Sequence, residues 1–170
     1  NVILTTYEDT KGNLWFGTDG NGVIKFHPDS FYSDRPGNRT IKSFTTNEGL
    51  NNNTIWAVHE DRYGSIWLGT WGGGVSRLVP SGNVSIPYTI SNITEENGLS
   101  GKFVLSILEG PMGNMWFGTY GEGISVLASD DFHTKSNFTN ISQIRKTQSK
   151  FQASKQEKYK WSYISTANGL

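Results

Sequence analysis

Three segments of this 170-residue chain are near-copies of one another: YEDTKGNLWFGTDGNGVIKF (7–26), HEDRYGSIWLGTWGGGVSRL (59–78) and LEGPMGNMWFGTYGEGISVL (108–127). Their tryptophans, Trp15, Trp67 and Trp116, stand 52 and then 49 residues apart. Around each one the same letters return: a Glu (Glu8, Glu60, Glu109), a turn glycine (Gly12, Gly64, Gly113), a glycine two residues after the Trp (Gly17, Gly69, Gly118), and a Thr (Thr18, Thr70, Thr119). A unit of this size cannot bury its own apolar surface, so copies must stack against one another.

The unit is made of short β-type runs separated by glycine turns, with no apolar stretch at helical spacing. A period of about 50 residues with that content predicts an all-β chain of β-propeller blades, one four-stranded antiparallel blade per repeat. The blades are expected over 1–50, 51–99 and 100–170, the third carrying a long insertion at 128–160. In the second copy the strands are expected over 55–59, 65–70, 74–78 and 88–93. Asp61 and Gly64 lie between the first two, an acceptor for turn amides followed by a residue that tolerates positive φ, which is hairpin chemistry. The third copy replaces that Asp with Gly110 and adds Pro111.

Along 66–70, Ile66, Leu68 and Thr70 alternate with Trp67 and Gly69, yet both sides look buried, as in a sheet covered on two faces. The repeated Trp should supply much of the contact between blades, with Gly69 leaving it room. Thr5, Ala57 and Ser106 share one position on the innermost strand, where the crowded axis favours small residues. A four-stranded meander places two sets of loops at one end: the glycine loops at 18–22, 70–74 and 119–123, and the connections to the next blade at 48–53 and 97–102. The insertions at 27–41, 79–87 and 128–160 go to the opposite end. Three blades do not close a ring that takes about four to eight, so further blades are expected as partners, from a longer chain or another subunit. The final NGL matches the NGL at 97–99 and the start aligns with 53–61, so the chain is phased to blade ends.

Composition narrows the function. Fifteen basic and fifteen acidic residues cancel, which gives no pull toward nucleic acid. Seven Lys or Arg against three acids do gather between residues 129 and 160, most simply a solvated loop, with a helical turn near 143–156. There is no cysteine, so neither a thiol nucleophile nor a thiolate metal site exists. No apolar run is long enough for a membrane-spanning helix, and no direct membrane insertion is expected. Sequons at Asn38, Asn52, Asn83, Asn92, Asn137 and Asn140 favour an extracytoplasmic location.

Candidate chemistry is sparse. Asp9 and Asp61 with Glu8, Glu60 and Glu109 resemble acid–base pairs, but their recurrence at a turn reads as structure. GTWGGG at 69–74 contains a fragment of a phosphate-loop pattern, yet it joins two strands and opens no helix. His27, His59 and His133 share no metal-ligand spacing, so neither metal nor cofactor is expected. The informative position follows each Gly-Thr pair and reads Asp19, Trp71 and Tyr120: fixed turn glycines hold a side chain that varies. With Trp56 and the amides of Asn51, Asn52 and Asn53, it has the aromatic-plus-amide makeup that stacks on sugar rings or grips a peptide. The alternative is that these aromatics pack on neighbouring blades.

The pattern of Gly49-Leu50, Glu60-Asp61, Gly64 to Thr70 and Gly72 to Val75, with matches in the other two copies, resembles the two-component regulator propeller family. That resemblance implies the extracytoplasmic sensor region of bacterial hybrid histidine kinases, often glycan-sensing, which binds ligand without chemistry and carries no cofactor. The leading expectation is therefore a non-enzymatic module that recognises a carbohydrate or similar ligand at the glycine-loop end. The alternative is an assembly module whose blades join edge to edge into a ring or polymer.

Overall fold

In the computed structural model, residues 2–28, 41–129 and 161–164 are described. They form three four-stranded antiparallel sheets, each a simple meander. The first contains β1 (Ile3–Glu8), β2 (Leu14–Thr18), β3 (Val23–Phe26) and β4 (Ile41–Phe44). The second contains β5 (Ile55–Glu60), β6 (Ile66–Thr70), β7 (Val75–Pro80) and β8 (Tyr88–Ile93). The third contains β9 (Val104–Glu109), β10 (Met115–Thr119), β11 (Gly123–Leu127) and β12 (Trp161–Ile164). A 3-10 turn at Glu95–Asn97 leads from the second blade toward the third. The second-copy strands fall within two residues of their expected limits. The insertion at 130–160, with its basic cluster and expected helical turn, lies outside the described residues, as does most of the first insertion.

The first strand of each blade is innermost, because β1 packs on β5 and β5 on β9. The shared small position holds: Thr5, Ala57 and Ser106 sit opposite Gly17, Gly69 and Gly118 in register.

Two apolar cores fill the two junctions. Trp15, Val23, Phe44, Leu50, Ile55, Ile66 and Leu68 pack between blades 1 and 2. Trp67, Val75, Leu99, Val104, Met115 and Phe117 pack between blades 2 and 3. The packing has a direction. Each Trp faces the following blade, so Trp67 meets Phe117 at 5.7 Å between ring centroids. The neighbouring positions face the preceding blade, as Ile66, Leu68, Met115 and Phe117 do. Trp15 and Trp67 are fully buried, whereas Trp116, with no following blade beside it among the described residues, is half-buried. Leu14 and Phe16, on the first blade's leading face, are half-buried as well. β6, covered on both faces, is buried along its whole length.

The glycine after each Trp serves a different neighbour from the one its sequence position suggests. A Cβ on Gly69 would stand 2.9 Å from the Val104 carbonyl oxygen and 3.2 Å from the Ala57 Cβ. One on Gly17 would stand 2.7 Å from the carbonyl oxygen of Ile55. In both junctions the missing side chain lets the backbone of the next blade's first strand approach. The Trp indole is not the reason.

The Asp of each turn acts as expected and does one thing more. Asp9 Oδ1 accepts the amides of Lys11 at 3.0 Å and Asn13 at 2.8 Å, and Asp61 Oδ1 accepts those of Tyr63 at 3.0 Å and Ser65 at 2.8 Å. Gly12, Gly64 and Gly113 then carry φ of 75°, 80° and 83°, a conformation that costs glycine nothing. The second carboxylate oxygen receives the indole Nε1 of the same blade's Trp, at 2.8 Å for Asp9–Trp15 and 2.8 Å for Asp61–Trp67. The turn and the buried Trp are thereby one unit. In blade 3, where Gly110 takes the place of Asp, the indole nitrogen of Trp116 would lie 2.9 Å from a Cβ built on that glycine.

Candidate functional site at the glycine-loop end

The varying position after Gly-Thr is placed by one repeated hydrogen bond. The backbone amides of Asp19, Trp71 and Tyr120 donate to the carbonyls of Val2, Thr54 and Phe103 at 3.0, 3.0 and 2.9 Å. Each carbonyl belongs to the residue just before its blade's first strand. The three side chains therefore project at the same end, close to the innermost strands.

Two of the three join an aromatic cluster. Trp71 stands at the centre, with ring centroids 5.5 Å from Trp56, 4.7 Å from Phe103 and 5.8 Å from Tyr120. Trp71 and Phe103 also form a β-bridge across the blade junction, and Lys102 O receives the amides of Gly72 at 3.2 Å and Gly74 at 2.8 Å. Trp71 thus packs on the neighbouring blade and still keeps 39% of its surface in solvent. Trp56 keeps 40% and Tyr120 63%. Blade contact is therefore real for these aromatics, and it leaves the outer surface of the cluster open to solvent. Asp19 lies at the first-blade end of the same row, its Oδ1 accepting from Thr54 Oγ1 at 3.3 Å.

Two shallow hollows of about 340 Å³ each flank the cluster. One is lined by Phe103, Tyr120, Gly101 and Glu122, the other by Asn51, Gly73, Thr94 and Glu96; Glu95 and Lys102 belong to both. Carboxylates beside flat aromatic faces can accept hydroxyl hydrogen bonds while rings stack on apolar sugar faces.

The three asparagines also hold the loop together. Asn51 Nδ2 donates to Gly73 O at 2.8 Å, Asn52 Oδ1 accepts the Thr54 amide at 2.8 Å, and Asn53 Oδ1 accepts the Thr46 amide at 2.8 Å. Their side chains shape the connection that presents Trp56 and Trp71. Sequence reasoning missed Phe103, Glu95, Glu96 and Glu122. Phe103 had a usable signal, since its position reads Val2, Thr54 and Phe103 and so also varies between copies.

Of the sequons among the described residues, Asn83 is exposed on the 81–87 loop. Asn92 is engaged, its Nδ2 donating to Gly49 O at 2.9 Å and its Oδ1 accepting from Ser76 Oγ at 2.7 Å. No three His, Asp or Glu side chains gather as a metal site among the described residues.

Three directionally stacked meanders, two of them with a buried Trp locked to its turn, are blades of a β-propeller. The sequence model of the two component regulator propeller matches residues 1–20, 49–72 and 98–121, one match in each blade, so each blade is similar to that repeat. Among solved structures the chain is similar to the extracellular domain of BT4673 from B. thetaiotaomicron, described as a hybrid two-component system. Identity is 26% and TM-score 0.56, over 74% of this chain and 17% of that one. It is also similar to PorZ, a surface component of the type-IX secretion system of Porphyromonas gingivalis. There identity is 18% and TM-score 0.51, over 75% of this chain and 20% of that one, a likeness of fold alone. The chain thus spans no more than a fifth of the length of either structure. No curated protein matches it significantly.

Proposed function

We propose that these blades are a non-enzymatic recognition module of an extracytoplasmic sensor, and that they bind a carbohydrate or a similar ring-bearing ligand at the glycine-loop end. The supporting observation is the cluster of Trp56, Trp71, Phe103 and Tyr120, which is rigidly held across two blades and open to solvent. Large exposed aromatics cost free energy in water, and a ligand that covers them recovers it. Glu95, Glu96 and Glu122 supply acceptors around the stacking surface. The likeness to an extracellular sensor domain supports the location and the class of role.

A glycan array read with the unaltered chain, Trp71→Ala and Tyr120→Ala tests this reading. Tyr120→Ala is the cleaner variant, because its ring is the most exposed of the cluster. Loss of binding by about tenfold or more in both variants is expected from removing a stacked aromatic. Unchanged binding in both sinks the site.

The half-buried faces of Leu14, Phe16 and Trp116 favour a second role beside the first. Their counterparts in the junctions are fully buried, so these faces suit further blades, from the same longer polypeptide or from another copy. Native mass spectrometry distinguishes the two: a defined oligomer supports joining between copies, and a persistent monomer excludes it.

A further inference from the structure

At the opposite end, between blades 1 and 2, lies a hollow of about 580 Å³, within the range usual for small-ligand sites. Lys11, Lys25, His27 and Lys42 line it from blade 1, with Tyr88 and the 80–87 loop on the blade 2 side. No carboxylate is among its described lining residues. We propose that this hollow is a binding site for a small oxyanion, a carboxylate or sulfate carried on a polar molecule, separate from the aromatic cluster.

Strand register supplies the first argument. Lys25 and Lys42 are direct cross-strand partners on β3 and β4. Like charges placed opposite one another destabilise a sheet, and Lys11 of the neighbouring turn lines the same hollow. Glu48 offsets part of the Lys42 charge from outside the hollow, but no described carboxylate lies within it. A local rule broken in this way marks the places where stability has yielded to binding. The equivalent position in blade 2 shows the structural solution instead. There Arg77 is buried, faces Ser91 across the strands and reaches Asp61 Oδ2 at 3.3 Å.

Preorganisation supplies the second argument. Lys25 Nζ donates to Tyr88 Oη at 3.0 Å and lies 5.3 Å from the ring centroids of both Trp15 and Tyr88. Lys42 Nζ lies 5.5 Å from the Phe44 ring. Tyr88 Oη takes one of the three ammonium protons, so an oxyanion can take another. The far wall is braced by its own hydrogen bonds: the Ser81 amide donates to Pro87 O at 3.0 Å, the Ser85 amide to Asn83 Oδ1 at 2.8 Å, and Ser81 Oγ to Ile86 O. Cations fixed before the ligand arrives lose less entropy on binding it.

The test is an NMR amide-shift titration of the full chain with D-glucuronate and, in parallel, inorganic sulfate, with D-glucose as the neutral control. Saturable shifts around residues 11, 25, 42 and 82–88 are expected with an anion and not with glucose, and they should weaken at high salt. Saturation by glucuronate alone assigns a sugar acid, and saturation by both assigns the bare oxyanion; either supports the site. Lys11→Gln and Lys42→Gln should each weaken binding about tenfold, the worth of one charge-assisted hydrogen bond. Lys11 is exposed on its turn, so its variant tests the site with little disturbance of packing. Trp71→Ala should leave this binding unchanged, which separates the site from the glycan surface. Absence of saturation, equal shifts with glucose, or unchanged affinity in both lysine variants would overturn the proposal.

Discussion

Glu60 belongs to the second blade, yet its carboxylate accepts the backbone amide of Thr10 at 2.6 Å and the Thr10 hydroxyl at 3.0 Å in the turn of the first. Glu109 repeats the contact one blade on, receiving the Arg62 amide at 2.8 Å and pairing with its guanidinium. The repeated glutamate is therefore a clasp from each blade to the turn behind it, and not one half of an acid–base pair. Glu60 is buried, so Glu60→Ala should cost about 1–3 kcal/mol by leaving the Thr10 donors poorly satisfied. Glu60→Gln, which keeps one acceptor oxygen, should cost less. Urea denaturation of both variants measures this, and equal stability to the parent chain would disprove the clasp.

The direction of packing makes the three tryptophans unequal. Trp67→Ala removes a fully buried ring from between two blades and should cost about 3–5 kcal/mol. Trp116→Ala removes a half-buried ring and should cost clearly less in this chain. Thermal unfolding of the two variants gives the comparison; similar losses would mean that Trp116 is buried by something outside the described residues.

Gly69→Ala adds one methyl group where the nearest atom is a backbone carbonyl oxygen of the next blade at 2.9 Å. Backbone cannot swing aside as a side chain does, so the blades must part slightly, at about 1–3 kcal/mol. Gly12→Ala meets no atom within 4 Å and is strained only by its φ of 75°. Lowered stability of G69A with loss of amide protection at Val104, followed by hydrogen exchange, is the expected result. Unperturbed exchange along β9 would refute it.

Acid should weaken the fold in two stages. Burial holds the His59 imidazole below its ordinary pKa despite the opposing pull of Glu109, Asp61 and Glu60, and its Nε2 is buried without a partner among the described residues. The unfolded chain then binds a proton that the folded chain refuses, so stability falls as pH drops below the ordinary histidine value of about 6.5. Asp9 follows. Its burial acts to raise the pKa, but hydrogen bonds from Trp15, Asn13 and Lys11 outweigh it and hold the carboxyl below the aspartate range. Its contribution is complete above a pH of about 4 and is lost as pH falls through the depressed folded value. Denaturant midpoints between pH 7 and 3 should show both steps, and His59→Leu should remove only the upper one. A profile unchanged by that substitution would rule out His59 as its source.

Blades, strand limits and the two loop ends were legible because they rest on local rules. Asp61 and Gly64 make a turn wherever they stand, and alternation along 66–70 reports burial on both faces. The aromatic cluster was legible in part, since Trp71 and Tyr120 stand out as variable letters in a constant frame. Phe103 and the three glutamates were not, because their role arises only where the next blade's first strand meets Trp71. The asparagines look like ligand contacts in a linear reading, and the structure adds that each also makes a loop hydrogen bond.

The sequence by itself determined the repeated unit: where it turns, which residues it buries, and that it must lie against copies of itself. Only the tertiary structure decided the relationships between units. It showed that each Trp faces forward, that Gly17 and Gly69 admit the next backbone, that Glu60 reaches back to Thr10, and that Lys11, Lys25 and Lys42 share one hollow. The reason is physical: turns and alternation act over a few bonds, whereas these contacts join residues about one repeat apart and exist only once blades are stacked.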